Sequence, residues 1–89
     1  MFKKAKLNLF WFLKPDVMLD LDDPGTRRMY VQQVLTHGRT EDVRELLKDI
    51  GLEGLHQTFS KIKNFLPKEV KVFWEVFFAN HHPVSGQHP

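Results

Sequence analysis

His56 and Ser60 stand four residues apart, with Thr58 between them. On a helix that spacing puts both side chains on one face, where an imidazole could draw a proton from a hydroxyl nucleophile. Such a dyad also needs an acid to orient its base. The expected reading here is an exposed polar face, with His37 equally isolated. His81, His82 and His88 invite a metal. Adjacent histidines do not share a helical face, and a loose tail would lose much entropy in gathering ligands. Asp20, Asp22 and Asp23 imitate a cation loop but lack the glycine and distal glutamate of a calcium hand, so helix capping explains them more simply. No Gly-rich phosphate loop occurs. The chain is therefore expected to be no enzyme, with no catalytic residues, no metal and no cofactor.

Binding chemistry has more to work with. Arg27, Arg28, Arg39, Lys61, Lys63, Lys68 and Lys71 are candidate contacts to nucleic-acid phosphates. Residues 41–50, Gly51 and residues 52–63 even outline a helix-turn-helix. In that motif the second helix presents polar residues at its start, whereas Leu52 and Leu55 stand there. The helix before it is acidic and would repel phosphates. Nucleic-acid binding is thus the alternative reading, and a small helical nucleic-acid-binding protein the alternative function.

The chain has 89 residues, enough for one domain with a thin core. It has no cysteine, so no disulfide or thiolate metal site can support that core. A cytoplasmic protein is expected. The longest apolar run, residues 9–13, is far too short for a bilayer, and Lys14-Pro15-Asp16 follows it where a signal peptide would carry small residues. The net charge is +2, from 13 basic and 11 acidic residues. The charges come in blocks. Residues 1–14 are basic, 15–23 acidic, 24–39 basic and 40–53 mainly acidic, and four lysines against two glutamates follow. Such blocks can pair within the fold.

Helical periodicity sets the elements. In residues 24–37, Tyr30, Val31, Val34 and Leu35 form a stripe, Asp23 is a candidate cap, Pro24 fits the first position and Gly38 ends the run. In 41–50, Val43, Leu46, Leu47 and Ile50 share a face, Thr40 is a candidate cap, and Gly51 stands where a left-handed residue would end the helix. The short connection between these helices makes them neighbours, expected to run antiparallel. Leu52, Leu55, Phe59 and Ile62 mark a third helix, and Pro67 starts a fourth. Along the fourth, Val70, Phe73, Trp74 and Phe77 share one face while Val72 and Val76 lie on another. The N-terminal aromatic segment is expected as a short helix or extended arm, because no partner strand is evident. Residues 15–19 read as one helical turn. The expected fold is all-α, a single-domain bundle of four main helices over residues 1–80, with residues 81–89 as a flexible tail.

The aromatic content then becomes the main functional signal. Phe10, Trp11, Phe12, Phe73, Trp74, Phe77 and Phe78 exceed what so thin a core should need, and aromatic anchors dominate protein interfaces. Phe10, Trp11, Phe12, Trp74 and Phe78 are the candidate partner-binding residues. The expected function is a non-enzymatic cytosolic interaction module, its partner another protein or a second copy of the chain.

Four motifs carry a family resemblance: LFW at 9–11, RRMYVQQVLTHG at 27–38, TEDVRELLKDIG at 40–51 and LPKEVKVFWEVFF at 66–78. The chain resembles, over residues 9–80, a small bacterial family of uncharacterised helical proteins. It departs from the pattern at Phe12, where the family often has aspartate, and at Thr40-Glu41-Asp42, one residue shorter than usual. Genes of that family often lie beside a nucleotidyltransferase-type toxin of abortive-infection systems. The resemblance therefore implies an accessory, antitoxin-like role with such a toxin as partner.

Overall fold

The computed structural model describes residues 1–14 and 16–80. Among these, two short strands and three helices follow in the order β1 (Phe2–Lys4), β2 (Met18–Asp20), α1 (Pro24–His37), α2 (Thr40–Ile62) and α3 (Lys68–Asn80). A 3-10 turn at Lys63–Phe65 links the last two helices.

The strands correct the expectation of a purely helical chain. β1 pairs antiparallel with β2, with Phe2 opposite Asp20, Lys3 opposite Leu19 and Lys4 opposite Met18. Flanking bonds lengthen the ladder: the Ala5 amide donates to Val17 O at 2.9 Å and the Leu21 amide to Met1 O at 2.8 Å. Met18 and Leu19, expected in a helical turn, are thus in a strand, while the aromatic segment lies in the turns between the two strands. Between the strands, the Leu9 and Phe10 amides both donate to Lys6 O. That turn drives Leu9 and Phe10 inward beside Leu19 and Leu21. Asp16 adopts φ 64°, a left-handed conformation that aspartate tolerates better than most residues.

α1 begins as its sequence dictates. The Asp23 carboxylate accepts from the Thr26 amide at 2.9 Å and from its hydroxyl at 2.8 Å, and Pro24 occupies the first turn. Tyr30, Val31, Val34 and Leu35 are all buried. At the other end the Gly38 amide donates to Val34 O at 2.8 Å.

The expectation of four main helices is also corrected. The stretches expected as separate helices at 41–50 and 52–63 form one element, α2, kinked at Gly51 (φ 78°, ψ 166°). Only Gly51 leaves the helical region, so two helical stretches follow one another across a kink with no loop between them. The start of α2 is not capped by Thr40. Arg39 is the capping position, and its amide donates to Asp42 Oδ2 at 2.9 Å.

The charge blocks pair. Lys6 reaches Asp42 at 2.8 Å and Glu45 at 2.9 Å, while Lys3 pairs with Glu45 and lies 2.9 Å from Asp49. Lys4 meets Asp16 at 3.0 Å. The basic N-terminal block is thereby fastened to the acidic first half of α2. α3 packs on the second half of α2 through rings: Phe78 lies 5.2 Å from Phe59 and 5.8 Å from Trp74 between centroids.

Candidate partner-docking surface

The five aromatic candidates divide sharply. Phe10 is 2% exposed and stacks on Tyr30 at 5.3 Å. Trp74 and Phe78 are buried too, and Phe78 stacks on the His56 imidazole at 4.5 Å. Phe10 and Phe78 are core, which corrects their assignment to a partner surface, while the buried Trp74 keeps one side in the lining of a groove. Trp11 and Phe12 are 60% and 52% exposed, edge to face with each other, and Trp11 also meets the His37 ring at 5.9 Å.

Phe10 and Phe12 separate because the turn at Lys6 aims Leu9 and Phe10 at α1, leaving the next two rings outside. On α3 the helical period divides the rings. Val70, Trp74, Phe77 and Phe78 turn toward the core, while Val72, Phe73 and Val76 stand 46%, 61% and 55% exposed. Residues 72, 73 and 76 are neighbours on one helical face. Phe73 stays on the common face expected with Val70, Trp74 and Phe77, since all four line one wall of a groove, but it stands at the exposed edge of that face beside the valines. The available signal was α3's apolar character around most of its circumference, which one small neighbour cannot cover.

Beside this face runs a groove of about 510 Å³. Leu35, Gly38, Arg39, Thr40 and Val43 form the wall at the α1–α2 junction, and Glu69, Val70, Phe73, Trp74 and Phe77 form the α3 wall. Leu35 and Trp74 are buried, whereas Arg39, Thr40, Glu69 and Phe73 are exposed. The Trp11–His37 contact adjoins the same junction, since His37 precedes Gly38. An apolar bed with charged residues on its edges is suited to holding another apolar surface.

The cationic candidates do not form one patch. Arg27, Arg28 and Lys61 line a cleft of about 220 Å³ with Asp22, Gln57 and Thr58. The Arg27 Nε donates to Leu21 O at 2.7 Å. Acids offset this group. The Met1 amine, and to a lesser degree Arg27, hold the Asp22 carboxyl below its ordinary range. Thr26 and then Arg28 do the same for Asp23. Arg39 lies apart on the groove, and Lys71 turns to Asn64 at 3.4 Å. Lys68 is exposed and Lys63 half-buried.

No catalytic geometry emerges at His56. The Ser60 hydroxyl donates to the His56 backbone carbonyl at 3.0 Å, and the imidazole lies flat on Phe78. Thr58 likewise donates to Gly54 O at 2.9 Å. Among the described residues, no three of histidine, cysteine, aspartate or glutamate gather as a metal site. His81, His82 and His88 lie outside the described residues, as does the whole 81–89 segment. Among the described residues, no helix is long and apolar enough to cross a membrane. No family model, curated protein or solved structure matches the chain.

Proposed function

We propose that this protein is a non-enzymatic interaction module that docks another polypeptide on the outer face of α3. The observation that carries the reading is the outward stripe of Val72, Phe73 and Val76 beside the groove floored by Leu35 and Trp74. Scattered exposed apolar residues are ordinary, but a contiguous stripe bordering an apolar groove marks a binding surface. The family resemblance supports an antitoxin-like role in the cytoplasm and makes a nucleotidyltransferase-type toxin the first foreign partner to offer. The test is association of the full chain, wild type and Phe73→Asp. Sedimentation reads self-association, and co-expression with an adjacent toxin-like reading frame reads capture. A wild-type chain that is monomeric and retains no partner in a Phe73-dependent way would end the reading.

A second reading is nucleic-acid binding, favoured by the convergence of Arg27, Arg28 and Lys61 on one cleft. Asp22 in the same cleft and Asp23 beside it reduce the net charge available to phosphates. Fluorescence anisotropy with labelled single-stranded and duplex DNA and RNA at low salt tests it. Salt-sensitive binding abolished by Arg28→Glu would support it, and no binding would remove it.

A further inference from the structure

Resting on the docking reading above, we propose that the occupant of the α3 face is a second copy of this chain, related by a two-fold axis running along the groove. The two walls of the groove carry opposite charges on their edges, Arg39 on one and Glu69 on the other. Both are exposed, and none of the ion pairs among the described residues includes either of them. A two-fold axis along the groove exchanges its walls. Each Arg39 then faces Glu69 of the second copy, and each Phe73 enters against Leu35 and Val43 of the second copy. One surface thereby satisfies itself twice over, as an isologous interface requires.

The size of the surface agrees with a modest, reversible dimer. Val72, Phe73 and Val76 offer roughly 300 Å² per copy, against about 800 Å² per partner in an interface of ordinary size. The groove adds less than this again, so the interface stays well below ordinary size, as suits a weak, reversible dimer. The charged edges fix the register of the two copies, while the stripe and the groove provide the apolar burial.

Charge reversal tests the arrangement. Arg39→Glu and Glu69→Arg are prepared separately as full chains, with circular dichroism to verify that each folds. Wild type is expected to sediment at twice the monomer mass at micromolar concentration. Each variant alone brings like charges together twice and should dimerise at least about tenfold more weakly. An equimolar mixture pairs a chain carrying two acids with one carrying two bases, and association should return. A dimer whose mixture is not restored overturns the proposed axis. A monomeric wild type that still holds a foreign partner through Phe73 overturns the second copy and leaves the docking reading standing. A monomeric wild type without any Phe73-dependent partner overturns both.

Discussion

Lys6 Nζ lies 2.8 Å from Asp42 Oδ1, so a lysine beyond β1 holds the same carboxylate that accepts the Arg39 amide at the start of α2. Asp42 is buried. One side chain therefore joins the N-terminal hairpin to the helix that follows α1. Its two oxygens do different work, one satisfying an orphan helix donor and the other a lysine 36 residues away.

Asp42→Ala should accordingly cost about 2 kcal/mol, combining a lost cap with an uncompensated lysine. Lys6→Met keeps the apolar stem and removes a partly exposed charge, so its cost should stay under about 1 kcal/mol. Urea unfolding of both variants measures the difference. Equal midpoints would show that the cap contributes nothing beyond the ion pair.

The same network sets the acid limit of stability. The Arg39 amide, then Lys6, hold the Asp42 carboxyl below its ordinary value of 3.8. Lys3, then Lys6, hold Glu45 below 4.5. A depressed folded-state pKa means that the unfolded chain takes up protons first as pH falls. The contribution is complete above the ordinary values and is lost as pH drops through the folded ones. Urea midpoints should be level from neutrality down to about pH 5 and fall below it. In Asp42→Asn the fall should be shallower. At alkaline pH the sign reverses. Hydrogen bonds to Asp42 and Glu45 raise the Lys6 pKa, so its contribution is full below the ordinary 10.5 and is lost only as pH rises beyond it.

Two glycines should fail for different reasons. Gly51 has φ 78° with open space where a side chain would go. Gly51→Ala is strained by backbone conformation alone and should cost about 1–3 kcal/mol, while D-alanine at that position, introduced by chemical synthesis, should restore stability. Gly38 has an ordinary φ of −76°, but a Cβ there would sit 2.5 Å from Val34 O. Gly38→Ala should destabilise through that collision, and its D-alanine counterpart should give no rescue. Thermal denaturation of the four chains separates the two causes.

Local chemistry was legible where neighbours in sequence decide the outcome. Asp23-Pro24 announced α1, its buried stripe followed the helical period, and Gly51 marked the positive-φ break in α2. The strand pair was not legible. Each strand has three residues, and pairing Phe2 with Asp20 depends on a contact across the intervening turn rather than on an alternating pattern. The same limit applied to the candidate surface. α3 is apolar on nearly every side, so periodicity alone does not say whether Phe73 or Trp74 faces α2. That choice is made by Phe59, against which Phe78 packs beside Trp74, and by Leu35, which shares the groove with Trp74. Phe10 and Phe12 are likewise separated by the hydrogen-bonded turn at Lys6, which no periodic pattern encodes.

The division of the rings has a direct energetic consequence. Trp74 is buried against Phe77 and Phe78, with centroid separations of 5.0 and 5.8 Å, so Trp74→Ala should open a cavity and cost about 3–5 kcal/mol. Trp11 is exposed, and Trp11→Ala should change stability by no more than about 0.5 kcal/mol. Phe73→Asp should be equally mild in the monomer, because its ring contacts Trp74 edge to face while most of its surface faces solvent. Since the chain has only two tryptophans, Trp11→Phe and Trp74→Phe each leave one reporter. Acrylamide should quench the remaining Trp11 strongly and the remaining Trp74 weakly. Equal quenching would show that Trp74 is not sheltered, and similar urea midpoints for Phe73→Asp and Trp74→Ala would show that the inward and outward faces of α3 are not distinguished in solution. The outward stripe would then cease to be a separate docking surface, because its side chains would exchange freely with the core.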